Sequence, residues 1–287
     1  MEVLPFLLLL LQLVSSRVTY HMYIRPTLDT PCPYGECLTL TEYARQTTSY
    51  SYPDNLTLVF LPGEHVLNSS IVFQQLESLS LLGNLSSLPS ITSKIVCNNT
   101  SAFILKSISY LEIKALAFNS CGRLGDTEIP CTIPTLYYNI DMVWVPEVLP
   151  AISALLVQNF HLASCQFKHN FLPLLLNHSE SYIGNSEFVA NMGCLGGAIL
   201  AHVSNITLQE QNSFTDNFAM MHGGIFAGNS KVMITGTASF HANNASYGGG
   251  MGMVYSTLTF DSTAHKFEKP INKTQNCPGN MLLYNNT

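Results

Sequence analysis

A repeat of twenty-six residues in the C-terminal half constrains this chain more than any other feature of it. Ser204-Asn205-Ile206-Thr207-Leu208 leads to Phe214-Thr215-Asp216-Asn217 and then to Gly223-Gly224-Ile225. Twenty-six residues on, Ser230-Lys231-Val232-Met233-Ile234 leads to Phe240-His241-Ala242-Asn243 and to Gly249-Gly250-Met251, and the same step again brings Ser256-Thr257-Leu258-Thr259-Phe260. Upstream, Phe188 and Asn191 with Gly196-Gly197-Ala198-Ile199 form the preceding copy, and Phe167 with Asn170 a more degenerate one. Apolar and polar residues alternate within each copy, which is a strand period and not a helical one. No amphipathic helix separates the strands, so they stack in parallel only by winding as a coil, each turn resting on the one below. Phe188, Phe214 and Phe240 are then expected in one buried column. Each Asn is expected at a turn, where its side chain bonds nearby backbone and tolerates a left-handed conformation. The Gly pairs are expected at a second bend, where a Cβ would clash.

The Phe-x-x-Asn and Gly-Gly-x-Ile elements resemble the repeat of the polymorphic outer-membrane proteins of chlamydiae. The coil pattern is similar to that of the pectin-lyase-like superfamily of right-handed β-helices. The resemblance is close from Cys165 to Phe260 and looser elsewhere, and the chain departs from the chlamydial pattern in having no barrel after the coils. The fold implied is all-β, a right-handed parallel β-helix solenoid with a short N-terminal helical cap.

The N-terminal half is less regular. Leu38 to Arg45 has helical spacing and is placed as a cap over the open end of the core. Asn55-Leu56-Thr57-Leu58-Val59-Phe60 alternates and turns at Pro62-Gly63, while Ser78 to Leu81 and Tyr110 to Ile113 continue the pattern. Residues 122–150, rich in proline, break it and are expected to project as a long loop. The chain therefore divides into a signal peptide (1–16), an N-terminal segment with the cap (17–50) and the β-helix (51–287). The leader reading rests on an apolar run from Leu4 to Val14, too short for a bilayer, followed by Ser15-Ser16. No later stretch is apolar and long enough to span a membrane.

A leader makes the eight cysteines candidates for disulfides. Cys32 with Cys37 closes a short loop, and Cys97 with Cys121 lies close to one coil apart. Cys121 could instead pair with Cys131, and Cys165 and Cys194 are further candidates. Asn-x-Ser/Thr sequons stand at Asn55, Asn68, Asn84, Asn98, Asn99, Asn177, Asn205, Asn244, Asn272 and Asn285, which points to a glycosylated, secreted protein.

The net charge of −6 and the lack of any basic run exclude a phosphate-binding surface and with it a nucleic-acid partner. Polysaccharide-cleaving chemistry on such a coil calls for paired carboxylates, or for a cation-assisted base with calcium-binding aspartates. After Cys165 the chain has no arginine, and its only aspartates are Asp216 and Asp261. Glu187 with Asp216 would be an acidic pair only if neighbouring coils brought them together. His222-Gly223 matches a fragment of the hydrolase pattern and reads as turn chemistry, and His169 and His241 read as solvated turn residues. No catalytic, cofactor or metal residue is assigned. The expectation is a non-catalytic extracellular binding or structural module that contacts glycans or surface proteins. The alternative is a degenerate polysaccharide lyase or glycoside hydrolase.

Overall fold

The computed structural model describes residues 19–33, 36–46, 54–84, 91–124, 148–245, 248–261 and 281–284. The leader, Cys131, Cys277, Asn272, Asn285 and the body of the loop lie outside the described residues.

Short strands wind into a right-handed parallel β-helix with three faces, built of ten, seven and eight strands. The first face carries Asn55–Phe60, Ser78–Leu82, Tyr110–Lys114, Asn159–Ala163, Glu180–Gly184, Asn205–Gln209, Lys231–Ile234 and Thr257–Phe260. Every neighbour in that stack is parallel and in register, from Asn55 over Ser78 to Lys231 over Thr257. Each strand sends alternate side chains inward, and these form one continuous core from Ile24 to Met253. At about 25 cal/mol per Å² of apolar area buried, that interior is the main stabilising term of the fold.

The expected aromatic column is present and longer than the repeat implies. Phe118, Phe167, Phe188, Phe214 and Phe240 stack with centroids 4.7 to 4.9 Å apart and planes within 8° of parallel. The first four are fully buried.

The corners correct the reading of the asparagines. The left-handed residue is the one before each Asn: His169, Ala190, Asp216 and Ala242, with φ between 51° and 55°. The Asn itself points inward. The backbone N–H and the side-chain amide of Asn191 donate to Asn217 Oδ1 (3.1 and 2.9 Å), and the amide also donates to the carbonyl of Phe167 (3.0 Å). Asn170 repeats this on Asn191, and Asn217 on Asn243. The ladder ends at Cys121, whose N–H donates to Asn170 Oδ1 (2.8 Å). The reason is topological. A corner leaves backbone N–H groups pointing along the coil axis, and buried N–H groups need partners; the side chain one coil away supplies the acceptor.

A second ladder runs along the corner between the third and first faces. The N–H groups of Val157, Ser179, Ser204 and Ser230 donate to the hydroxyls of Ser179, Ser204, Ser230 and Ser256 at 2.9 to 3.1 Å. The Gly pairs behave as expected. A Cβ on Gly223 would lie 2.6 Å from the carbonyl oxygen of Gly249, and one on Gly224 would collide with that of Gly250.

Two disulfides agree with the sequence reading: Cys32–Cys37, and Cys97–Cys121 with Cα atoms 4.7 Å apart. Cys194 is also disulfide-bonded. Cys165 corrects the expectation, being a free, buried thiol. It occupies an inward corner position, where its N–H donates to Ser186 Oγ (3.2 Å), and burial pushes its thiol up to about 12. It serves as a small apolar core residue.

The helix Leu40–Gln46 lies where the cap was expected, with Leu40 and Tyr43 buried in the core. A Glu42 carboxylate accepts from the N–H and hydroxyl of Thr39 (2.7 and 3.0 Å), capping its start. Thr19–Arg25, which the sequence division places in the N-terminal segment ahead of the β-helix, is a strand paired in parallel with Asn55–Phe60. Arg123–Leu124 and Val148–Leu149 form an antiparallel pair that closes the base of the loop at 122–150.

Candidate functional site

Strands of the first face leave every second side chain outward, and register decides which of them meet. The middle outward column runs His21, Thr57, Ser80, Glu112, His161, Tyr182, Thr207, Met233, Thr259. The column beside it includes Tyr110, Asn159, Glu180, Asn205 and Lys231. At the centre of the face His161 lies flat on Tyr182 (4.9 Å, 12°) and packs, tilted by 34°, on Tyr110 (5.4 Å). The phenol of Tyr182 donates to Glu180 Oε1 (2.5 Å), which holds its pKa above the ordinary value. That of Tyr110 is raised by burial and by the charge of Glu112.

Aromatic rings stacked on a sheet show their edges and polar ends to solvent. The face therefore offers two phenols, an imidazole, two carboxylates and the amides of Asn159 and Asn205 in one flat row. Such groups hydrogen-bond in both senses, as donors and acceptors, and suit a polyhydroxylated ligand. Two carboxylates on the row oppose a polyanion.

The repeat residues Phe167, Phe188, Phe214, Phe240, Asn170, Asn191, Asn217 and Asn243 all lie inside the coil or its corners and build no part of this face. Glu187 and Asp216 do not meet. Glu187 is in register with Ser213, and its carboxylate accepts from Gln166 Nε2 (2.7 Å), while Asp216 is at the corner beyond Thr215. His169 and His241 are exposed. Among the described residues no group of three His, Cys, Asp or Glu is placed to hold a metal ion, and no helix is long and apolar enough to cross a membrane.

Of the sequons, Asn68, Asn98, Asn99, Asn205 and Asn244 are exposed, and Asn84 and Asn177 are half-buried. Asn55, at 9 % exposure, is covered by the fold. Asn205 stands on the first face itself, directly over Glu180.

Comparison with known proteins finds likenesses of shape and none of sequence. No family model matches it, and no curated protein matches it in sequence. Solved structures similar to it include the pectin methylesterase of Aspergillus niger, at 10% identity and a TM-score of 0.41, over 94% of this chain and 87% of that one. The Escherichia coli protein YbhC covers 92% of this chain and 84% of its own at 10% identity and a TM-score of 0.44. For the pectin methylesterase PemA of Erwinia chrysanthemi the figures are 85%, 82%, 10% and 0.41. The class defined by the ladders and registers above is that of right-handed parallel β-helix proteins. The likeness to chlamydial repeats rests on the short Phe-x-x-Asn and Gly-Gly-x-Ile elements alone.

Proposed function

We propose that the chain is a secreted, non-catalytic binding module that holds a neutral glycan of a surface molecule on the outward row of its first face. The row Tyr110, Glu112, His161, Glu180, Tyr182 carries the reading: it is partly exposed, dense in hydrogen-bonding groups, and turned away from the core. Fold class does not decide activity, so the argument rests on this row and not on the coil.

A glycan array that includes neutral, sulfated and uronic-acid chains tests it. Binding to neutral chains, weakened at least tenfold by Tyr182→Ala and by His161→Ala with the fold retained, supports the reading. Preference for polyanions would contradict the charge argument. Release of reducing sugar or of ester groups from uronic-acid polymers would replace the reading by the enzymatic one.

A further inference from the structure

Outside the main core a second apolar cluster lies on the third face. Leu175, Leu200 and Phe226 are consecutive in one outward column of that face. They are covered by a ledge made of the parallel strands Met192–Leu195 and Phe218–Met221, which bring Leu195, Met221 and Cys194 over them. The next member of the column is Gly252, beside Phe226.

The ring of His222 fills the place a side chain would take there. It stacks on Phe226 (5.2 Å, 14°), and a Cβ on Gly252 would collide with it. His222 is fully buried, yet neither ring nitrogen has a hydrogen-bond partner. Its backbone is left-handed, with φ 62°, at a level where the coils below and above carry glycine: Gly196 at φ 67° and Gly248 at φ 59°. A buried, unpartnered imidazole thus stands at a level where the neighbouring coils carry glycine. Residues that break local rules in this way concentrate at functional positions.

Among the described residues the surroundings hold nothing that would stabilise a charged ring. Met192–Leu195, Phe218–Met221, Ile225–Gly228 and Met251–Val254 contain no acidic or basic side chain, and Cys194 among them is disulfide-bonded. Among the described residues the titratable groups nearest along these elements are Tyr255, exposed directly after Val254, His202, at the end of Ile199–His202, and Asp216, exposed at the corner before Phe218. We propose that His222 is an acid-sensitive latch: protonated, it can no longer stay in the apolar cluster, and the ledge lifts to bare Leu200 and Phe226. This inference is independent of the glycan reading, because it concerns a different face.

Burial lowers the His222 pKa from 6.5 to about 4. A group whose folded pKa is depressed in this way binds fewer protons in the closed state, so the closed state is at full strength above pH 6.5. It weakens as pH falls from 6.5 towards 4.

Hydrogen exchange at pH 7 and pH 4, corrected for intrinsic rates, tests the latch on the intact protein. Amides of the ledge, 192–196 and 218–222, should lose protection by about a hundredfold, as expected from a shift of that size. Those around Phe167 and Phe188 should hold. His222→Asn, which tolerates a left-handed backbone, and His222→Phe, which keeps a ring, should both remove the pH response. An unchanged ledge at pH 4 in the natural chain, or the same loss in either variant, would overturn the proposal. Should neither variant fold, the ring-proton titration of His222 by NMR decides: a midpoint near 6.5 sinks the latch, and one near 4 with concurrent ledge opening supports it.

Discussion

The N-terminal and C-terminal coils turn the same corner by opposite means. Between the third and first faces every coil uses one left-handed residue, at Gln75, Ser107, Leu156, His178, Val203, Asn229 and Tyr255, followed by one inward side chain. In the early coils that inward residue is Leu76, Ile108 or Val157; in the later ones it is Ser179, Ser204, Ser230 or Ser256. At the other corners Leu116 gives way to Cys165 and Ser186, and Cys121 to the asparagine ladder. The apolar corners gain free energy by burial and tolerate several residue shapes. The polar corners gain register, because a hydroxyl or amide out of step leaves buried N–H groups without partners. Where apolar corners prevail, the chain adds a covalent tie, Cys97–Cys121.

The sharpest way to break this contrast is to make a polar corner apolar. Asn217→Leu takes away the amide that donates to the carbonyl of Phe188 and the oxygen that accepts from the backbone N–H and side-chain amide of Asn191, leaving that amide only its bond to Phe167, and should cost about 4 kcal/mol. Chemical denaturation followed by hydrogen exchange should show the loss spreading from residues 188–243. If the cost falls below about 1 kcal/mol, the ladder is incidental.

Replacing Cys97 and Cys121 together by serine reopens a loop with a sequence separation of 24. It should cost about 3 kcal/mol on the loop-entropy model, with the loss confined to coils before Cys121. Equal loosening of the later coils would mean that the two halves are not separable units.

Ser204→Val isolates a smaller effect. The N–H of Ser179 loses its acceptor to an apolar side chain one heavy atom larger, so about 2 kcal/mol should go; the apolar filling that serves at Ile108 should not serve here. The smallest response concerns Cys165. With its thiol held far above neutral pH by burial, the native protein at pH 8 should leave it unalkylated while denatured protein labels it. Rapid native labelling would show that this corner opens.

How much of this can be read from residues follows from the same contrast. The phenylalanine column recurs at constant spacing, so it shows in the chain. The role of the asparagines does not, because the left-handed residue before them is chemically arbitrary, being His169, Ala190, Asp216 or Ala242, and no glycine marks the turn. The strand Thr19–Arg25 precedes any repeat and has no phase to betray it. The row on the first face is hidden for a geometric reason: Glu112, His161, Tyr182 and Thr207 are vertical neighbours but sit at unequal intervals along the chain. His222 shows only a His-Gly pair in the chain; its significance lies in the ring's surroundings.

The paired ends of the segment at 122–150 carry a further consequence. Cys121 and Asn170 lie 49 positions apart, yet they are hydrogen-bonded as adjacent rungs, and Phe118 stacks on Phe167 at the same 4.9 Å that separates Phe167 from Phe188. The winding passes beneath the insertion without registering it. Such a junction works as a socket: what is plugged in between Leu124 and Val148 can be shortened, exchanged or enlarged by evolution or by an engineer, with the scaffold paying no toll in register.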